Sequence, residues 1–174
     1  MPREGAAAET RLGQLRERYG TFPVVEEHTV VPREALVECM SSESDGRLGG
    51  ARTLLERDGA ALLVRYEDAP EVWDLPGGSL DRNEHHEQTA RRHVADQLGI
   101  ECELTGVFHA RRQRFGLVDG GDGAEGLWIH FEGRPLGTTF DSRSDIIEAR
   151  WFDSPPAAVA DDVRERLDAS VTAD

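Results

Sequence analysis

The chain has 174 residues, a length that suits one domain with a substantial core and a short extension. Its 34 acidic residues outnumber 20 basic ones, so the formal net charge is −14, and every basic residue is an arginine. A surface this acidic repels nucleic acid and anionic membranes, and we expect neither as a partner. No apolar run approaches the ~20 residues that span a bilayer.

The excess of acidic residues and the lack of lysine also predict the kind of organism that makes the protein. Such a surface keeps a protein soluble in concentrated salt, so the composition predicts a halophilic archaeon as the source. A GC-rich genome that favours arginine codons is the alternative. Residues 1–4 lack the apolar core of a secretion signal, which predicts a cytoplasmic protein. Cys39 and Cys102 lie far apart and are expected to be buried thiols rather than a disulfide.

The first part of the chain is mostly helical by pattern. Residues 6–19 predict an amphipathic helix with Leu12, Leu15 and Tyr19 on one face. A possible strand at 28–31 precedes a second predicted helix that starts at Pro32 and ends near Met40. The polar stretch 41–46 has no apolar residue and predicts a linker. We therefore expect an N-terminal extension over residues 1–45 and one domain over 46–174.

Strand patterns dominate the rest of the chain. They fall at residues 51–56, 60–66, 101–114, 127–131 and 146–152. The turn Asp58-Gly59 joins the first two as a hairpin, and residues 157–167 predict a closing helix. Strands and helices mixed in this order predict an α/β protein in which helices cover both faces of a sheet.

A strand, a glycine turn, a polar loop and a helix occupy residues 73–100. Asp81 or Asn83 is placed to cap the helix, and Glu84 follows Asp81 at the spacing of a capping box. An apolar stripe then recurs every four residues, at Ala90, Val94 and Leu98. Gly99 is expected to end the helix because glycine accepts the left-handed conformation there.

This stretch resembles the Nudix box, which reads Gly, five residues, Glu, seven residues, Arg-Glu, an aliphatic, any residue, Glu-Glu, any residue, Gly, an aliphatic. Six positions fit the pattern, namely Gly78, Glu84, Arg92, Val94, Gly99 and Ile100. Three depart from it, because His93 replaces the first Glu of the helix and Asp96-Gln97 replaces the Glu pair. The resemblance spans about residues 50–168 and implies a Nudix-type α/β/α sandwich with a mixed sheet, here with an N-terminal helical extension.

Nudix hydrolases are pyrophosphatases that cleave a nucleoside diphosphate linked to another group, with Mg²⁺ or Mn²⁺ as the cofactor. The resemblance implies that catalysis and metal binding fall to His93, Asp96 and Gln97, with a backbone carbonyl from Gly77 or Gly78. It also implies a structural role for four residues of the box, Gly77, Glu84, Arg92 and Gly99. Only Asp96 keeps a carboxylate and His93 favours softer metals, so an altered, manganese-preferring site is one hypothesis. A catalytically inactive module that binds or senses a nucleotide is the other.

Further candidates lie on the later strands. Arg112 and Arg114 share one face of a strand and Arg111 takes the other, so Arg112 and Arg114 are candidate phosphate ligands, with pairing to surface carboxylates as the alternative. Glu148 resembles a late glutamate that some of these enzymes use near the metal. Trp128 and Phe131 fall on opposite faces of their strand, so at most one can stack on a base. The expected partner is a small nucleotide, and a homodimer is left open.

Overall fold

A computed structural model describes residues 6–137 and 139–172. The helices are α1 (Ala6–Tyr19), α2 (Arg33–Ser44), α3 (His86–Leu98) and α4 (Asp161–Thr172). The strands are β1 (Val24–Val30), β2 (Gly49–Arg57), β3 (Ala60–Tyr66), β4 (Ala69–Asp74), β5 (Gly77–Ser79), β6 (Cys102–Gly116), β7 (Ala124–Pro135) and β8 (Ile146–Phe152).

The strands form one mixed sheet in the order β1-β6-β7-β2-β3-β4, with β5 paired to β2 and β8 paired to β3. The β1–β6 and β2–β7 pairs are parallel, whereas β6–β7, β2–β3 and β3–β8 are antiparallel. The short strand β5 pairs with the first residues of β2, Gly50 to Arg52. This pairing places the box loop against the centre of the sheet.

Helices cover both faces of the sheet because its strands alternate between two apolar sets. Leu55, Leu62 and Val64 pack against α3, whereas Leu54 and Leu63 pack against α4 from the opposite face. Side chains of successive strand residues point to opposite sides, so each face has its own core. The predicted α/β/α sandwich with a mixed sheet is confirmed.

The N-terminal segment packs on this core. Leu12 and Leu15 of α1 are buried with Phe131 of β7, and the ring of Tyr19 meets the Phe131 ring edge-on at 6.0 Å. Strand β1 extends the sheet beside β6. The two predicted helices of the extension are present, and they precede and follow this strand along the chain. The boundary after residue 45 stays a prediction.

Two local predictions were wrong. The predicted linker is largely helical, because α2 continues through Ser44 and turns only at Asp45. The Glu43 carboxylate in this last turn accepts the backbone N–H of Glu125 at 2.6 Å, which anchors α2 to β7. The closing helix begins at Asp161 rather than 157. No helix among the described residues is long and apolar enough to cross a membrane. Both cysteines are free thiols, and burial raises the pKa of Cys102 to about 11.

Candidate active site

The box loop connects β5 to α3 through a tight polar turn. The backbone N–H of Asp81 donates to the Glu84 carboxylate at 3.0 Å, and the Glu84 N–H donates back to the Asp81 carbonyl at 3.0 Å. The helix starts later than the sequence suggested, because the cap is His85, whose N–H donates to the side chain of Gln88 at 3.0 Å. The prediction of Asp81 or Asn83 as the cap was therefore wrong. Gly99 ends the helix at φ +68°, as predicted.

An ion pair braces the loop against the helix. Arg92 Nε donates to Glu84 Oε2 at 2.8 Å, and a second guanidinium nitrogen of Arg92 donates to Glu84 Oε1 at 2.9 Å. The Thr89 hydroxyl donates to the same carboxylate at 2.6 Å, and Arg92 also donates to the Ser79 carbonyl. The hydrogen bonds from Arg92 lower the pKa of Glu84 to about 2. The side chains of Glu84 and Arg92 therefore hold the loop against the helix.

Gln97 is tied to the loop and buried, with 5% of its surface exposed. Its Nε2 donates to the Gly77 carbonyl at 3.0 Å, while the Gly77 N–H donates to Gln97 Oε1 at 3.2 Å. The Tyr66 hydroxyl donates to the same amide oxygen at 3.1 Å. A Cβ on Gly77 would overlap the Ala51 carbonyl and lie 2.7 Å from the Cα of Arg52, so only glycine fits there. The Gln97 amide and the Gly77 peptide thus satisfy each other.

His93 and Asp96 lie on the outer part of the same helix. The Nε2 of His93 lies 2.9 Å from the Ser79 carbonyl, so this nitrogen carries the proton and Nδ1 keeps its lone pair. The Asp96 side chain is 64% exposed, and its carboxylate lies 4.0 Å from the Arg92 guanidinium. Gly78 pairs with Ala51 in the β5–β2 ladder. One helix therefore carries the three candidates, but their surroundings differ. Gln97 faces the loop backbone, His93 bonds the Ser79 carbonyl, and Asp96 faces solvent.

The resemblance implies Mg²⁺ or Mn²⁺ as the cofactor, and these ions differ in the ligands that they prefer. Mg²⁺ prefers octahedral oxygen ligands and usually carboxylates, whereas His93, Asp96 and Gln97 together offer one carboxylate and an amide whose oxygen already accepts two hydrogen bonds. These residues do not fit Mg²⁺. The Asp96 carboxylate and the free Nδ1 of His93 are three residues apart on one helical face and fit a softer divalent ion such as Mn²⁺ better.

The remaining candidates are engaged with other charges. Arg112 bonds Glu125 at 2.6 Å and also pairs with Glu9, while Arg114 lies 3.5 Å from Glu125. The Glu148 carboxylate pairs with Arg65 at 2.9 Å and with Arg150 at 2.7 Å. The structure thus places these residues in ion pairs on the sheet, and the carboxylate that Arg112 and Arg114 share, Glu125, is buried rather than on the surface.

A cleft that sequence reasoning did not find opens on the α4 face of the sheet. It has a volume of about 420 Å³, and its lining includes Arg52, Asp74, Arg111, Trp128, His130 and Asp162. Arg52 donates to the Leu75 carbonyl at 2.9 Å and lies 5.6 Å from the Trp128 ring centre. Trp128 is half-buried here, whereas Phe131 is fully buried on the opposite face, as their alternation predicted. Burial raises the pKa of Asp74, which lies 3.8 Å from Arg52.

A mixed sheet between helices, with a glycine loop and a Glu–Arg brace leading into one helix, defines the Nudix class of α/β/α sandwich. Residues 49–172 match the model of the NUDIX domain family. The chain therefore belongs to the Nudix hydrolase family, whose members generally use divalent metals and act on small nucleotide substrates.

Similar proteins agree with this assignment. The chain is 28% identical over 110 residues to nucleoside diphosphate-linked moiety X motif 6 of Xenopus laevis, covering 62% of this chain and 50% of that protein. It is 35% identical over 77 residues to a putative 8-oxo-dGTP diphosphatase of Bacillus subtilis, covering 37% of this chain and 51% of the relative. The chain thus spans about half the length of the curated relatives that it matches.

Solved structures share the fold. A MutT NUDIX hydrolase from Burkholderia pseudomallei is 25% identical with a TM-score of 0.53, over 70% of this chain and 95% of that one. A UDP-X diphosphatase is 15% identical with a TM-score of 0.56, over 83% of this chain and 71% of that one. The second similarity shows the fold alone.

Proposed function

We propose that this protein hydrolyses a nucleoside diphosphate linked to a second group, bound in the cleft beside the box loop, with an altered metal site. One observation carries the proposal. Arg52 lines the cleft and bonds the Leu75 carbonyl, two residues before Gly77, so the cleft and the box loop adjoin. The names of two relatives, one for moieties linked to nucleoside diphosphates and one for 8-oxo-dGTP, support this substrate class.

Different residues of the cleft suit different parts of a nucleotide. Trp128 offers a half-buried ring for a base to stack on. One arginine guanidinium can donate two parallel hydrogen bonds to the oxygens of a phosphate group. Arg111 lies 3.4 Å from Asp162 and Arg52 lies 3.8 Å from Asp74. A pyrophosphate therefore binds by taking these guanidinium groups from their carboxylates, which weakens binding compared with unpaired arginines.

His93 and Asp96 are the residues that would hold a divalent ion, which neutralises pyrophosphate charge and activates water when it is bound. The chain's own contribution is to position these groups. The Glu84–Arg92 pair fixes the loop against the helix, and the His93 Nε2 proton, held by the Ser79 carbonyl, keeps Nδ1 available. With one carboxylate in place of three, we expect slow turnover and a preference for Mn²⁺ over Mg²⁺.

A second candidate is a module that binds the nucleotide without cleaving it. The observation that favours it is the pair of hydrogen bonds between Gln97 and the Gly77 peptide. These bonds occupy an amide and a carbonyl that would otherwise face an ion. The cleft itself is unaffected, so binding would persist.

The test measures binding and turnover separately. Purified protein is incubated in molar salt with Mn²⁺ or Mg²⁺ and a panel of nucleoside triphosphates and diphosphate derivatives, and phosphate is assayed after phosphatase treatment. The hydrolase proposal expects turnover that Asp96→Asn abolishes while binding remains, and Asp122→Asn in an exposed loop is the matched control. Binding without turnover supports the second candidate. No binding of any nucleotide contradicts both.

The conditions of this assay rest on further proposals from composition. A net charge of −14 supports a halophilic, cytoplasmic protein, and molar salt is the medium in which it would fold fully. Loss of the folded state at low salt, read by circular dichroism, is the expected result. Sedimentation in the same buffer tests the proposed homodimer.

A further inference from the structure

Three metal-binding side chains meet on the α4 face of the sheet, away from the box helix. His109 of β6 and His130 of β7 are partners in the antiparallel ladder, and Asp162 projects from the first turn of α4. One potential ligand atom from each lies within 4.8 Å of the other two, and this is the only such cluster of three among the residues that the structure describes. The cluster borders the cleft, which His130 and Asp162 help to line.

The two imidazoles are arranged as a pair. Their ring centres are 5.1 Å apart and their planes differ by 24°, so the rings stack. His130 Nδ1 lies 3.3 Å from the Asp162 carboxylate without the alignment of a hydrogen bond. Ligands about 2.1 Å from a tetrahedral ion are roughly 3.4 Å apart, so the His130–Asp162 spacing already matches a shared ion.

One nitrogen of each imidazole has no hydrogen-bond partner in the part of the chain that the structure describes. His109 Nε2 and His130 Nδ1 are buried, and neither has a hydrogen-bond partner within the described ranges 6–137 and 139–172. His130 is only 3% exposed. A buried polar atom without a partner costs free energy, so native structures rarely keep one unless water or an ion fills the gap.

The charge states suit a cation. Burial is the main cause that lowers the pKa of His130 to about 4, and burial also lowers the pKa of His109. Both rings are therefore neutral at neutral pH, and each has a lone pair to give. The Asp162 carboxylate supplies a negative charge, and the Arg111 guanidinium at 3.4 Å is the cation that an ion would have to compete with.

We propose that His109, His130 and Asp162 bind one transition-metal ion of the Zn²⁺ class, with its remaining coordination position open to the cleft. Two imidazoles and one carboxylate are a donor set typical of zinc, and three protein ligands leave a place for water or a phosphate oxygen. Mg²⁺ is disfavoured because imidazole is a poor ligand for it. The site stands on the α4 face and shares no residue with the box helix, so it does not depend on His93 or Asp96.

The test uses the whole chain after removal of metals with a chelator. Titration with Co²⁺ should give one equivalent of a visible absorption band, and Zn²⁺ should displace it. His130→Asn should weaken Zn²⁺ binding more than about tenfold, since loss of even an outer-shell partner of a metal ligand costs about 10–100-fold. His28→Asn, at an exposed histidine of β1, should bind as the wild type does.

A second measurement needs no substitution and covers the case in which His130→Asn does not fold. In ¹⁵N spectra of the imidazole groups of the wild-type protein, Zn²⁺ should shift the His109 and His130 resonances and leave His28 unchanged. Absence of stoichiometric binding overturns the proposal, and so does binding that shifts His93 alone. Both results would leave the cluster as a stacked histidine pair beside a carboxylate.

Discussion

The Gln97–Gly77 contact makes a sharp prediction for Gln97→Glu. The substitution removes the N–H that Gln97 donates to the Gly77 carbonyl, and the Tyr66 hydroxyl, 3.2 Å from that carbonyl, can replace it only by withdrawing its single proton from the side-chain oxygen at position 97. A lost partner at a buried site costs about 1–3 kcal/mol, and burial of the introduced carboxyl group adds to this cost and raises its pKa. We expect about 2–3 kcal/mol in total. At about 2–4 °C per kcal/mol for a domain of this size, the Tm in chelator falls by roughly 4–12 °C.

Metal should reverse the loss. The introduced carboxylate sits beside the Gly77 carbonyl and on the helix face of His93, so a divalent ion gains a charged ligand. Mn²⁺ at about 100 times its dissociation constant would then restore about 2.7 kcal/mol. The assay is thermal unfolding by circular dichroism, with chelator and with Mn²⁺.

The matched control is Gln88→Glu, on the same helix but exposed. Its Oε1 accepts the His85 N–H, and a carboxylate can do the same. We expect its Tm to change little in either buffer. The reasoning is refuted if Gln97→Glu unfolds at the wild-type temperature in chelator, or if Mn²⁺ raises its Tm no more than that of the control.

Three further changes test the loop and the core. Glu84→Gln should cost about 1.5–3 kcal/mol at neutral pH, and because the folded pKa is about 2 against 4.5, the difference from wild type should vanish in urea unfolding as pH falls toward 2. Gly77→Ala should cost at least about 1–3 kcal/mol by overlap with the Ala51 carbonyl, read in the same way. His86, buried with a pKa of about 4 against 6.5, favours the neutral form, so stability should fall by about 3 kcal/mol as pH drops from 6.5 to 4. If the free energy of unfolding of His86→Gln falls with pH as steeply as that of the wild type, this last assignment is contradicted.

Much of the box could be predicted from the sequence because its signals are local. The resemblance to the box implied a structural role for Glu84 and Arg92, which form an ion pair, and the position of Gly99 predicted the left-handed helix end. Strand alternation foresaw that Arg111 and Arg112 would face opposite ways, and Arg111 indeed lines the cleft while Arg112 pairs with Glu125. The helix cap failed because several polar residues in a row compete for one position, and only the loop geometry chooses among them.

The sequence by itself determined the sheet-and-helix order and the helix face that carries His93, Asp96 and Gln97, since each follows from periodicity within a few residues. Only the tertiary structure decided what those side chains meet. Gln97 bonds the hydroxyl of Tyr66, 31 residues earlier, and the His109–His130–Asp162 cluster joins two strands and a helix. Contacts between distant segments depend on the pairing of the sheet and the packing of α4, and no local pattern encodes them.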